Sequence, residues 1–569
     1  MLITTRRARW GATVKRHTLG KIAHDQATRF LLERTDDDRQ RAPDDEAQAG
    51  ALADLLDGLA LGLELAAARI AHDHLALADY LGKWETEREK MLGWNVERET
   101  GYPDPIAIAW QSSFDQLGPA SRAVLNLCAW LAPDPIPAEM FEEHGDVVAE
   151  AVELLSADTG EDAPDVDVSE ALTDLAAYCL ITWGEERTFN VHRMLQEVVR
   201  SRVPEGHRRD WLDKAVELVD AHTPFDSDDV RTWPAMDLVR PHAARIVSEA
   251  DQAGITEPTA RLMNQLGLFL EAKALYAEAE PMYRRTLEIN EAARGMQDPV
   301  VAACLNNLAQ LLQATNRLDE GEPLMRRALE IDEAAFGAEH PEVATGLNNL
   351  ATLLQATNRL DEADPLMRRA LDIDEAAFGT EHPKVAIDLN NLAQLLQGTN
   401  RLGDAEPLMR RALDIDEAAF GTEHPKVAIR LNNLAALLHA TNRLGDAEPL
   451  MRRVIEIFER AYGQTHPNVA TAVNNLAQLL QDTNRLDKAE PLMRRGLEID
   501  EAALGPEHPD VARDLSNLAG LLRATGRQED AEPLMRRALA IYEARLGPDH
   551  PDTATVRGNL DMLLGEMGR

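Results

Sequence analysis

The pair His-Pro stands at His340, His382, His424, His466, His508 and His550, each 42 residues after the last. PLMRR keeps the same step, beginning at Pro323, Pro365, Pro407, Pro449, Pro491 and Pro533, with the variant PMYRR at Pro281. A fixed period of this size dictates a solenoid. One unit cannot bury its apolar face alone, so units stack and share a core that grows mainly in one dimension. LNNLA follows the same rule at Leu305, Leu347, Leu389 and Leu431, with VNNLA at Val473 and LSNLA at Leu515. Every unit therefore sets amides beside its apolar stripe.

Two helices fit one unit, Pro341 to His382. Pro341 suits a first helical position, where the missing N–H costs nothing, and Val343, Leu347, Leu350, Ala351 and Leu354 have the i, i+3, i+4 spacing of a buried stripe. This helix A ends near Thr357-Asn358. Asp361 is the expected N-cap of helix B, whose Glu362 and Asp364 suit the positive helix end. Its packing face is Ala363, Leu366, Met367, Ala370, Leu371 and Ile373, and Gly379 ends it. The pattern fits seven times from about Ala260, and Pro551 to Gly568 adds one more helix A. There Asp561 stands where Ala351 does, as expected of a solvent-facing cap.

These units resemble the tetratricopeptide repeat in the 42-residue form of kinesin light chains and many bacterial regulators. Leu347, Leu350, Ala351 and Leu354, then Ala363, Met367 and Ala370, match its pattern, as do Leu266-Gly267 and Tyr283. Glu375 replaces the usual helix-ending proline, which predicts a longer helix B. In this family helix A lines the inner wall, and asparagines bind peptide backbone. The resemblance makes Asn306, Asn307, Asn348, Asn349, Asn390, Asn391, Asn432, Asn433, Asn474 and Asn475, with Gln310, Gln394 and Gln478, the candidate peptide-binding groove. An amide both donates and accepts, so a column of them can pair with an extended chain whatever its side chains. The competing reading is that one asparagine of each pair bonds the neighbouring repeat; both hold if the two asparagines divide the roles.

Other candidates in the array have plainer readings. Arg368-Arg369 offers an anion-binding stripe, but Asp364 four residues earlier favours an intrahelical ion pair worth about 0.2–0.5 kcal/mol. The His-Pro histidines lie one unit apart, too far to share a metal ion, and read as turn residues.

Charge restricts the partners. With 98 acidic against 59 basic residues and a formal charge of −39, the chain would repel a phosphate backbone. A protein or peptide, preferably basic, is expected, and nucleic acid is not. Only 4% of residues are aromatic against 44% hydrophobic, so packing rests on Leu, Ala, Val and Met. Cys128, Cys179 and Cys304 are scattered, without CxxC spacing, which gives neither a disulfide framework nor a zinc site and suits a reducing compartment. The first residues lack the apolar core of a signal peptide. The most apolar stretch, Ala51 to Ala71, carries Asp54, Asp57, Glu64 and Arg69, too many charges for a membrane span. The expected location is cytoplasmic.

Before the array no catalytic motif emerges. Gly20-Lys21 and Gly82-Lys83 lack the upstream glycine of GxxxxGK[ST], and the HxH of His72 and His74 lacks a third ligand. MLITT from Met1 reads as a strand. Phe30 to Glu33, Ala51 to Leu81 and Ser121 to Leu131 read as helices, the last stopped by PDPIP. Leu180 to Trp183 and Thr188 to Val191 form a hairpin, and a helix runs from His192 to Val203. Helices then a hairpin suggest a winged helix, and the acidic insert Asp158 to Glu170 argues against its touching DNA.

This order resembles the back half of a STAND-type NTPase of the NB-ARC class. Leu2-Ile3-Thr4-Thr5-Arg6 matches the sensor strand, Phe30 to Thr35 the FLLERT segment, Gly58-Leu59-Ala60-Leu61-Gly62-Leu63 the GLPLAL pattern, and Val191-His192-Arg193 the histidine motif. Ala60 replaces the proline that packs on nucleotide, and Arg193 replaces the usual aspartate. The resemblance implies that Arg6 and His192 are vestigial nucleotide contacts. It also implies that Walker A and B would lie upstream of Met1, so Met1 marks a late gene start, a remnant or a split half. ATP or ADP would then bind only with an upstream P-loop half supplied, and that NTPase half is a candidate partner.

The expected fold is mainly α: a tetratricopeptide α-solenoid preceded by a helical domain and a winged-helix domain. The expected domains are 1–25, remnant of a nucleotide-binding domain; 26–95, helical; 96–205, winged-helix-like; 206–259, helical linker; and 260–569, seven repeats plus a capping helix. The expected function is non-catalytic protein or peptide recognition, as the sensor portion of a STAND-type signalling switch. A free-standing scaffold is the alternative. An enzyme would need His192 or Arg6 to work without a nucleophile, metal set or paired carboxylates.

Overall fold

The computed structural model describes residues 229–569 without interruption and, before them, 22–36, 39–56, 58, 62–63, 66–67, 70–71, 74–82, 114, 116–159, 166–178, 180–223 and 227. The sensor strand with Arg6, Leu59 to Leu61, His72 and Cys179 fall outside these residues. The chain is mainly helical and divides into two units, residues 1–224 with 234–262, and residues 225–233 with 263–569. No described helix is long and apolar enough to cross a membrane.

In the first unit, α1 (His24–Thr35) and α2 (Asp45–Leu55) are followed by α3 (Pro119–Cys128), β1 (Ile136–Pro137), α4 (Glu139–Glu142), α5 (Gly145–Thr159) and α6 (Val168–Ala177). Then come β2 (Ile181–Trp183), β3 (Thr188–Val191), α7 (Arg193–Arg202), α8 (Arg208–His222) and α9 (Trp233–Gln252). The hairpin pairs Ile181 with Val191 and Trp183 with Phe189. PDPIP does more than stop a helix: Ile136 pairs with Phe189, making a three-stranded antiparallel sheet of order β1-β3-β2. Phe189 is fully buried, with Phe141 at 5.9 Å and Trp183 at 6.0 Å between ring centroids. The acidic insert ends sooner than expected, because the Asp167 carboxylate accepts the Glu170 N–H at 2.9 Å and starts α6. Buried Gln196 on α7 donates to the carbonyls of Cys128 (2.8 Å) and Leu131 (3.1 Å), at and just beyond the end of α3, where the helix no longer supplies all the N–H partners.

The array is seven helix pairs and a last helix: α10 (Glu257–Ala272) with α11 (Tyr276–Arg294), α12 (Pro299–Ala314) with α13 (Leu318–Phe336), and α14 (Pro341–Ala356) with α15 (Leu360–Phe378). α16 (Pro383–Gly398) with α17 (Leu402–Phe420), α18 (Pro425–Ala440) with α19 (Leu444–Tyr462), and α20 (Pro467–Asp482) with α21 (Leu486–Leu504) continue it. α22 (Pro509–Ala524), α23 (Gln528–Arg545) and α24 (Pro551–Glu566) complete it. The His-Pro histidines are N-caps rather than plain turn residues. Nδ1 of His340 accepts the Glu342 N–H at 3.2 Å, and the ring stacks on Phe336 at 4.8 Å. The same arrangement recurs at His382, His424 and His466.

Between the two helices of a unit, Asn358 adopts φ +58°, the left-handed conformation asparagine tolerates, and the Arg359 N–H returns to the Leu354 carbonyl at 2.8 Å. This turn is short enough that helix B starts at Leu360. Arg359 occupies the N-cap position without a side-chain cap bond, so Asp361 lies in the first turn and is not the cap. Helix B runs to Phe378 and stops at Gly379, whose φ of +86° disfavours a side chain. Ala351 and Ala363 are fully buried between Leu350 and Met367, letting the two helices approach closely. Each buried Leu contributes about 1.5–3 kcal/mol.

The arginines hold repeats together. Asp364 pairs with Arg368 at 2.8 Å within one helix, while Arg369 reaches back to Glu333 of the preceding repeat at 2.8 Å. Loop arginines do likewise: Arg359 to Glu322 at 2.7 Å, Arg443 to Glu406 at 2.9 Å and Arg485 to Glu448 at 2.8 Å. Such half-exposed pairs contribute only about 0.2–1 kcal/mol each. Not every interaction in the array is between neighbours. The Nε2 atom of His508, in the sixth inter-repeat turn, lies 3.3 Å from the Ala272 carbonyl at the end of the first helix of the array.

Candidate functional site

Helix A sets amides at two adjacent positions beside its buried stripe in the units from Leu305 to Val473, and both positions bond across the joint between repeats. In LNNLA the leucines are fully buried or nearly so, and the asparagines between them fall at the margin of that stripe. The first asparagine turns toward the next repeat. Asn390 accepts from Nδ2 of Asn433 at 2.8 Å, Asn432 from Asn475 at 2.9 Å, and Asn264 from Asn307 at 2.9 Å. Asn348 and Asn474 instead donate to Asp388 (2.7 Å) and Asp514 (2.8 Å) on the following helix A. Asn306 is half-buried, with its Oδ1 enclosed and unbonded.

The second asparagine stays half-buried at the edge of an exposed stripe. Asn349 and Asn391 show this position, and Gln310, Gln394 and Gln478 are exposed one turn further on. Gln478 also donates to Asp482 at 3.2 Å. On the same stripe, four residues before Asn391 and Asn433, stand Ile387 and Ile429, each 46% exposed. Sequence reasoning passed over both isoleucines. Their signal was a departure from the repeat, since Thr345 and Thr471 occupy the equivalent positions. Amides that donate and accept, interleaved with exposed apolar side chains, can hold a peptide backbone and a side chain together.

Behind this face the joint between repeats is polar at a position that changes from unit to unit. Helix B residues Asn290, Asp374, Asp416 and Asp500 meet helix A residues Cys304, Asp388, Arg430 and Asp514 of the next repeat. Asp416 and Arg430 form a buried ion pair at 2.8 Å. Asp374 and Asp388 bring two carboxyls together. Burial pushes Asp388 up to about 7, opposed by the bond from Asn348 and reinforced by Asp374. Asp500 and Asp514 form a second such pair, both held above the usual carboxylate range by burial, with Asp514 further raising Asp500. Two carboxyls in contact cannot both ionise cheaply, so each pair keeps a proton to share.

In the first unit, His192 is the N-cap of α7, with Nδ1 accepting the Met194 N–H at 3.2 Å. Arg193 donates to the Asp54 carbonyl at the end of α2 at 2.8 Å. Sequence reasoning weighed neither of these structural roles, because both depend on where the helices start and end.

Six overlapping stretches, residues 258–334, 305–376, 342–418, 389–460, 426–502 and 468–544, match the model described as tetratricopeptide repeat. Residues 112–208 match a domain of unknown function, DUF7779. Among curated proteins, a nucleotide-binding leucine-rich repeat (NLR)-like protein of Hyaloscypha variabilis is 26% identical over 259 residues, which cover 43% of this chain and 24% of that protein. The chain thus matches about a quarter of that relative's length. Among solved structures, BtubC (BKLC) of P. vanneervenii is 25% identical, with a TM-score of 0.33 over 42% of this chain and 92% of that one. A STAND protein with a tetratricopeptide repeat sensor, PH0952 of Pyrococcus horikoshii, is 12% identical, with a TM-score of 0.46 over 96% of this chain and 70% of that one.

Proposed function

Because the chain belongs to the tetratricopeptide repeat family, we propose that it is a non-catalytic recognition protein whose array holds an extended peptide segment of a partner protein along the exposed stripe of its A helices. The observation that carries this reading is the alternation on that stripe: exposed Ile387 and Ile429, half-buried Asn391 and Asn433, and exposed Gln394. The second asparagine's N–H group is committed to the preceding repeat where Asn433 and Asn475 bond, leaving its oxygen to accept from a peptide N–H. Each such bond nets about 0.5–1.5 kcal/mol, so affinity requires several in register plus the isoleucine contacts. The net charge of −39 favours a basic segment.

The array is further read as the sensor portion of a STAND-type switch, whose nucleotide half is a partner. The order of motifs before the array supports this, as does the 26% identity to the NLR-like relative. Panning a random peptide library against the full chain tests the recognition reading. Basic peptides that bind the parent and lose at least tenfold affinity in Ile387→Ala/Gln394→Ala are expected; equal binding to that variant would place the ligand elsewhere. Calorimetry with ATP and ADP checks the switch reading and should give no heat without an added P-loop half.

A further inference from the structure

The turn between α4 and α5 places Glu143 and His144 side by side, and the last residue of α8, His222, comes to meet them from 78 residues further along the chain. One ligand atom from each of the three lies within 4.8 Å of the other two. Nδ1 of His222 is 3.5 Å from a Glu143 carboxylate oxygen. The two imidazoles meet edge to face, with ring centroids 5.7 Å apart and planes at 78°. Nε2 of His144 is enclosed and has no hydrogen-bond partner, an arrangement that a packed structural histidine normally avoids.

We propose that Glu143, His144 and His222 bind one divalent transition-metal ion of the zinc class. Two imidazoles and one carboxylate suit such an ion and suit magnesium or calcium poorly, since those take oxygen ligands. Zinc sits about 2.0–2.2 Å from such donors, so tetrahedral neighbours lie about 3.3 Å apart. The His222–Glu143 separation is already near that value, and the remaining contraction falls to side-chain torsions. Glu143, whose side chain is 61% exposed, gives the ion its way in from solvent, while the His222 side chain is only 12% exposed. A fourth position stays open to water. The bound ion would tie the α4–α5 turn to the end of α8 and add no chemistry of its own.

The test is titration of the chelator-stripped full chain with Zn2+ against a chromophoric competitor, with Co2+ as a spectroscopic probe. The parent should bind one more equivalent than His144→Ala/His222→Ala and give the visible absorption of four-coordinate cobalt. Glu143→Gln, on an exposed side chain that leaves the fold intact, should lose at least tenfold in affinity. Mg2+ and Ca2+ should leave the competitor signal unchanged. Equal Zn2+ stoichiometry and the same cobalt spectrum in parent and double variant would overturn the proposal, as would a parent that binds no Zn2+. Far-ultraviolet circular dichroism of each variant separates loss of ligands from loss of fold.

Discussion

The two units solve the same problem, satisfying buried polar groups, in opposite ways. In the array an amide finds its partner one repeat away, as Asn433 finds Asn390 and Asn475 finds Asn432. In the first unit Gln196 must reach back 68 residues to the Cys128 carbonyl, and Phe189 pairs both with Ile136, far back in the chain, and with Trp183 close by. The lesson concerns where damage goes. A solenoid's stability is close to a sum of unit and neighbour terms, so an injury stays near its repeat. A unit knit by long-range contacts spreads the injury through one cooperative core.

Three substitutions press on that contrast. Phe189→Ala should cost about 3–5 kcal/mol by removing the ring that both sheet neighbours and Phe141 pack around. Urea unfolding followed by tryptophan fluorescence reads this out, because all eight tryptophans lie at or before Trp233. Arg430→Ala leaves Asp416 buried without its cation and should cost about 3 kcal/mol. Hydrogen exchange should show the loss centred on α17 and α18; uniform loss along the array would refute the neighbour-limited picture.

The third effect is smaller and depends on pH. Asp388 has a folded pKa of about 7 against a usual 3.8, so the folded chain holds this proton through the interval between. Its contribution is fully present below pH 3.8 and is lost as pH rises through about 7. Asp388→Asn keeps the shape and removes the titration, so it should stabilise the array by about 2 kcal/mol at pH 8 and by little at pH 4. Thermal melts at the two pH values check the sign. A variant equally stabilised at both would mean that the carboxyl pair does not share a proton.

The period made most of the array readable, because a helix stripe repeated at fixed spacing leaves one packing solution. Leu347, Leu350, Ala351, Met367 and Ala370 are all buried as that stripe requires. The hairpin at Thr188 to Val191 was legible from alternation and turn residues. β1 was not, since Ile136-Pro137 becomes a strand only by pairing with Phe189 and Thr188. Asp361 was misplaced because the left-handed Asn358 shortens the turn, a backbone choice with no hydrophobic signature. The division of labour within Asn-Asn, and the changing pair at each repeat joint, depend on neighbours that a single unit does not contain. The exposed isoleucines were hidden for the opposite reason: averaging over repeats conceals the position at which the repeats differ.

Solenoids ordinarily tolerate gain or loss of a unit, since each new unit meets the same neighbour as the last. The contact of His508 with the Ala272 carbonyl, worth about 0.5–1.5 kcal/mol as a typical hydrogen bond, sets a small bias against such a change. It spans 236 residues of stacked repeats, and the rotation accumulated over them must return the chain to its own beginning. Insertion or deletion of one 42-residue unit between the two points would carry His508 past its carbonyl by a full repeat's turn. The contact thereby links the superhelical rotation of the array to the number of units between its first helix and its sixth turn.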